Sequence, residues 1–156
     1  MAHVSVQGKS VPRQLLALLA LSFSLVAGRA SGGESPVVLG NVNGSTPGGE
    51  FRAPLRNAVR EALDATKLGR ARERFVLSAT LVTLDARQTG RSVSATAVVS
   101  LVLRHEKEQT LHALLRGSAT AEDSDSTLAS TRETALRAAV RSAMRRLPEA
   151  VGQKGD

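Results

Sequence analysis

The 156-residue chain has no cysteine, no tryptophan and no tyrosine, and only three phenylalanines. Without cysteine there is no disulfide, no thiol nucleophile, no thiolate metal site and no cysteine to carry a lipid anchor. Without tryptophan or tyrosine the chain lacks the stacking platforms that single-strand nucleic-acid binders need, and aromatic-lined sugar grooves are disfavoured for the same reason. Phe23 lies in the apolar N-terminal segment, which leaves Phe51 and Phe75 for a folded domain. Histidine is also scarce. His3 is near the N-terminus, His105 opens a charged stretch HEKEQ, and His112 falls on the polar side of an alternating segment. Neither of the last two has a carboxylate or a second histidine at ligand spacing, so both read as surface histidines. No cofactor, metal or nucleic-acid partner is expected.

A long hydrophobic run is missing too. Lys9 and Arg13 precede an apolar stretch from Leu15 to Val26, and the small-residue segment Ala27-Gly28-Arg29-Ala30 follows. That order of charged, apolar and small residues is the pattern of a secretory signal peptide. Residues 15–27 would make about 20 Å of helix, short of the roughly 20 apolar residues a bilayer core requires. Ser22 and Ser24 dilute the run further. Residues 1–30 therefore read as a signal peptide, with cleavage after Ala30 or after Ala27. The mature protein is expected to be periplasmic or secreted, with no stable membrane anchor after cleavage.

What remains is 126 of the 156 residues, the length of one domain. The leader carries Lys9, Arg13 and Arg29 and no acid, which takes the formal charge from +7 to +4. Arginine outnumbers lysine 17 to 4, a bias that fits a GC-rich bacterial genome. Between Arg52 and Arg74 seven basic residues face only three acidic ones. A positive patch of that size can attract an anionic partner, although an arginine-rich solvated helix face looks the same in sequence.

Periodicity gives the element order. Residues 31–35 read as a flexible lead-in and residues 36–148 as the domain. Residues 37–42 form a short apolar run suited to a strand, and residues 43–50, rich in Gly, Ser, Thr and Pro, read as loop. Residues 53–67 predict a helix with Leu55, Val59, Ala62, Leu63 and Thr66 on one face, Pro54 in its first turn and Gly69 as a stop signal. Arg52, Arg56 and Arg60 form a separate stripe on it. Residues 75–84 alternate as a strand, residues 85–91 read as a hairpin loop, and residues 92–104 are the clearest strand. Residues 105–109 form a charged turn, and a fourth strand follows over residues 111–120. Residues 121–130 read as an acidic connection. Ser130 and Glu133 predict a capping box that starts a second helix near Thr131, with Leu136, Val140, Ala143, Met144 and Leu147 on its apolar face. Arg137, Arg141 and Arg145 make its basic stripe. Pro148 is expected to end that helix, and residues 149–156 to form a polar tail.

The fold class is therefore α+β, in the order β-α-β-β-β-α. A four-stranded sheet containing an antiparallel meander should carry both helices on one face. The large residues Phe75, Leu77, Leu81, Val93, Val99, Leu101, Leu103, Leu111 and Leu115 should lie beneath them.

No catalytic motif survives inspection. Asp123-Ser-Asp125 opens like a calcium loop, but Leu128 and Thr134 stand where Gly and Glu are needed. Gly40-Asn-Val-Asn-Gly44 lacks the third glycine and the lysine of a phosphate-binding loop. No serine sits in G-x-S-x-G. An enzyme is not expected.

The other face of the sheet is mostly Ser and Thr, interrupted by Val76, Val98, Val102 and Leu114. Burial of such side chains is worth about 1.5–3 kcal/mol each, so this face is the candidate surface for an envelope protein or for self-association. The β-α-β-β-β-α order, with the run Phe75-Val76-Leu77-Ser78-Ala79-Thr80 leading to a hairpin, resembles a group of bacterial envelope domains. The group includes the N-terminal domain of TolB, the curli-secretion lipoprotein CsgG and the outer-membrane activators of penicillin-binding proteins. The resemblance covers residues 36–147 and is one of pattern, with no motif transferring residue by residue. The chain lacks the cysteine that tethers such lipoproteins. It resembles still more the small exported proteins of GC-rich bacteria. The resemblance implies a non-enzymatic, protein-binding role in the envelope. The alternative is a binder of anionic envelope surface, lipopolysaccharide phosphate or acidic lipid, through Arg52, Arg56, Arg60, Arg137, Arg141 and Arg145.

Overall fold

A computed structural model describes residues 35–44, 50–69, 71–124 and 127–152. The expected signal peptide and most of the lead-in lie outside the described residues, as do residues 153–156 of the expected tail. The elements are β1 (Val37–Gly44), α1 (Arg52–Ala65), β2 (Phe75–Thr89), β3 (Ser92–His105), β4 (Leu111–Asp123), α2 (Leu128–Met144) and α3 (Leu147–Gly152). The strands form one sheet in the order β1-β2-β3-β4. β1 and β2 are parallel, joined through α1, and β2, β3 and β4 are the antiparallel meander. Both long helices pack on one face, α1 over β1 and β2 and α2 over β2, β3 and β4.

β3 alternates without a break. Val93, Ala95, Ala97, Val99, Leu101 and Leu103 are buried, and the residues between them are half-buried on the open face. The other three strands each carry a bulge, and a bulge reverses which residues point inward. In β1 the register slips between Leu39 and Val42, so Val37 and Val42 are both buried. In β2 it slips at Val82, so Leu84 and Ala86 pack against the core while Asp85 and Arg87 point out. In β4 it slips at His112, because Leu103 pairs with Ala113 but Arg104 with Leu111.

Several expected boundaries change for these reasons. Residues 43–44 belong to β1, not to a loop. Residues 85–89 are strand, since past the Val82 bulge their polar members occupy the open face; the hairpin turn is only Gly90-Arg91. Gly90 has φ +61° at the first central position, where a two-residue II′-type turn places glycine. Residues 121–123 extend β4 along the lengthened β3. Leu111 is not core: the His112 bulge puts it opposite Arg104 on the open face, 64% exposed. The other eight expected large core residues are buried.

The helix ends also shift. α1 stops at Ala65, before Gly69, where Thr66 turns extended and its hydroxyl donates to the Ala62 carbonyl at 2.6 Å. α2 starts three residues before the predicted site. Thr127 is its cap, its hydroxyl accepting from the Ser130 amide at 3.3 Å. Glu133 is thereby left in the helix body, where it pairs with Arg137 at 2.8 Å. The buried Thr131 is satisfied inside the helix, where its hydroxyl donates a hydrogen bond to the Thr127 carbonyl at 3.0 Å. Pro148 does not end α2, which closes at Met144; it sits in the first turn of α3, where its missing N–H is harmless. Leu147, Ala150 and Val151 of α3 are buried, so residues 149–152 are part of the domain rather than tail.

Candidate functional site

The open face follows from the strand registers. Val102 stands opposite Ser78 on one side and Leu114 on the other. One row further, Val76 pairs with Val38 and with Arg104, and Arg104 with Leu111. Val76, Val102 and Leu114 therefore share one end of the face with Val38 and Leu111. Leu114 is 63% exposed, and Val38, Val76 and Val102 are partly covered by their neighbours. Gly40 keeps this end low, since a Cβ there would meet Val76 Cγ1 at 2.5 Å.

Val98 is not in this group. It lies four residues along β3 from Val102, about 13 Å at the rise of an extended strand, between Thr83 and Ser118. Ser100, Thr80 and Arg116 occupy the row between them. Beyond Val98 the face is polar, with Thr96 and Thr120 hydroxyls hydrogen-bonded at 3.0 Å. Val38 and Leu111 are the residues that the sequence reading missed. Leu111 was hidden by the bulge, and Val38 by the lack of any alternation in its short apolar run.

The two arginine stripes go to different places. All six arginines are exposed. Arg137, Arg141 and Arg145 wall a cleft of about 250 Å³ between α1 and α2. Ala58, Ala62, Ala65, Met144 and Pro148 give the cleft an apolar lining, and Glu61 supplies an acid from the α1 side. Arg52, Arg56 and Arg60 are not among its lining residues. Arg52 is committed elsewhere: its Nε donates to the Val42 carbonyl at 3.1 Å and ties the start of α1 to β1.

The histidines are not the isolated surface groups that the sequence suggests. His105, the last residue of β3, lies on the helix side of the sheet opposite Phe75. The β4 bulge turns His112 to the same side. His105 Nε2 is 3.1 Å from His112 Nδ1, His105 Nδ1 is 2.8 Å from a Glu73 carboxylate oxygen, and His112 Nε2 is 2.7 Å from the Ala150 carbonyl in α3. Phe75 packs against both rings, with centroids 5.0 and 4.8 Å away. The only legible signal was that both histidines flank one hairpin turn. These groups form a line rather than a ring around a point, and among the described residues no cluster of acids and histidines is arranged to hold a metal ion. Among the described residues no helix is long and apolar enough to cross a membrane.

No family model and no curated protein matches the chain. Among solved structures, the hypothetical protein CT253 from Chlamydia trachomatis superposes with a TM-score of 0.55 at 11% identity, over 74% of this chain and 96% of that one. Protein XCC0632 from Xanthomonas campestris gives a TM-score of 0.48 at 17% identity, over 71% and 80%. A minor lipoprotein from Acinetobacter baumannii gives 0.39 at 12% identity, over 74% and 92%. At 11% identity the likeness to CT253 is one of fold alone.

Proposed function

We propose that this chain is a non-enzymatic binding domain exported to the bacterial envelope, and that it engages another protein through the open face of its sheet. The observation that carries the reading is the apolar end of that face, where Val102 and Leu114 pair directly and Val38, Val76 and Leu111 adjoin them. Among the described residues the helices cover only the opposite face, and an apolar group of this kind gains free energy when a partner removes it from water. The N-terminal pattern of residues 1–30 supports export, and the resemblance to TolB-type and CsgG-type envelope domains supports protein binding.

The test is Val102→Lys. The variant should keep the wild-type circular dichroism spectrum, because Val102 lies outside the core. It should lose self-association in sedimentation or partner capture by crosslinking in the envelope fraction, because a lysine buried in an apolar interface has no counter-charge. A folded variant that still binds would sink the proposal.

A second reading rests on the cleft between α1 and α2. Three arginines along one wall of an apolar lining suit an anionic envelope amphiphile such as acidic lipid or lipopolysaccharide phosphate. Binding through them should weaken steeply with salt, whereas binding through the open face should not.

A further inference from the structure

The contacts of His105 and His112 fix a proton count. The Ala150 carbonyl can only accept, so His112 Nε2 carries a hydrogen across the 2.7 Å contact. The Glu73 carboxylate can only accept, so His105 Nδ1 carries one across 2.8 Å. Between His105 Nε2 and His112 Nδ1, 3.1 Å apart, a hydrogen bond needs one hydrogen and has room for one. Three hydrogens on four ring nitrogens is one more than two neutral imidazoles hold. The pair completes all its links only when it carries a single positive charge, set against Glu73. A neutral pair leaves one contact with two facing lone pairs, and a doubly charged pair sets N–H against N–H at the centre.

We propose that Glu73, His105 and His112 form a one-proton clasp that fastens α3 to the sheet, and that α3 loosens when the histidine pair gains or loses a proton. The clasp joins four places in the chain: the segment before β2, the end of β3, the start of β4 and α3. It is half-buried, His105 being 24% exposed, and Phe75 shields both rings. The charged groups around it are Glu73 ahead of β2 and Arg74 beside it, which pairs with Glu106 of the turn at 3.4 Å. Lys107 and Glu108 follow in the same turn, and Arg146 and Glu149 flank the α3 side; all four are exposed. α3 has six residues and depends on such tertiary contacts, because a helix this short does not persist alone.

The test is amide hydrogen exchange on the full chain, read as protection factors for Ala150 and Val151 from about pH 5 to 8, the range in which imidazoles change charge. In wild type the protection should pass through a maximum and fall about tenfold on each side, the loss expected for one charge-assisted hydrogen bond. Glu73→Gln separates this clasp from simple packing. The glutamine amide can donate to His105 Nδ1, so a neutral pair then completes every link. Protection in Glu73→Gln should therefore stay high on the alkaline side and fall only as pH drops. Glu73 is exposed, so the variant should fold normally. A wild-type profile without a maximum, or a Glu73→Gln profile that matches wild type, would overturn the proposal.

Discussion

Gly117 marks the point where α2 lies against the sheet. A Cβ at this position would collide with the Ala139 carbonyl oxygen and come within 2.5 Å of the Ala143 amide nitrogen. Ala135, Ala139 and Ala143 are fully buried at four-residue spacing and form a seam of small side chains along α2. Backbone cannot move aside as a flexible side chain can, so Gly117→Val should cost about 3 kcal/mol or more through overpacking. A urea melt followed by circular dichroism measures it, and a loss under about 1 kcal/mol would mean that the helix can lift away freely. The contrast between the two faces of β3 is testable in neighbouring residues. Leu101 is fully buried and Ser100 half-buried. Leu101→Ala should lose about 2–4 kcal/mol, while Ser100→Ala should change stability little. Equal effects would mean that the inner and outer faces are exchanged.

Element boundaries depended on competing local signals. The segment from Thr127 to Glu133 offers two caps for α2, Thr127 and Ser130. The structure uses Thr127, so Thr127→Ala should destabilise by about 1 kcal/mol and Ser130→Ala should be near neutral. Thermal melts of the pair decide it, and the reverse order would return the helix start to the capping box at Ser130. The strands show a related limit. β3 has no bulge and is readable over residues 92–104, one residue short of its end at His105, which the sequence places in the turn. β1, β2 and β4 each carry one, and each was misread at or beyond its bulge: Asn43 and Gly44 as loop, residues 85–89 as hairpin, Leu111 as core. A bulge adds one residue to one strand, so the sequence alternation changes phase with nothing in residue type to announce it.

At the scale of the whole molecule, the described helices cover one face of the sheet and, among the described residues, none covers the other; the proposed role depends on export to the envelope. The mature N-terminus is expected between Gly28 and Glu34, from the order of charged, apolar and small residues. N-terminal sequencing of protein taken from the producing cell checks it. An intact Met1 in the cytoplasmic fraction would remove the envelope from the argument.

Local pattern alone determined the α+β class, the β-α-β-β-β-α order, the two amphipathic helices and the buried face of β3. Each rests on periodicities of two or about four residues that neighbouring side chains enforce within one element. Tertiary structure decided what lies between elements. α3 has six residues and no autonomous stability, so only docking of Leu147, Ala150 and Val151 reveals it. The open-face group of Val38, Val76, Val102, Leu111 and Leu114 exists because three registers align them. His105 and His112 meet because a bulge in β4 turns one ring to the side of the other, and a carbonyl from α3 completes their hydrogen bonds. Register, bulges and docking are settled by packing between elements, which the periodicity within one element does not record.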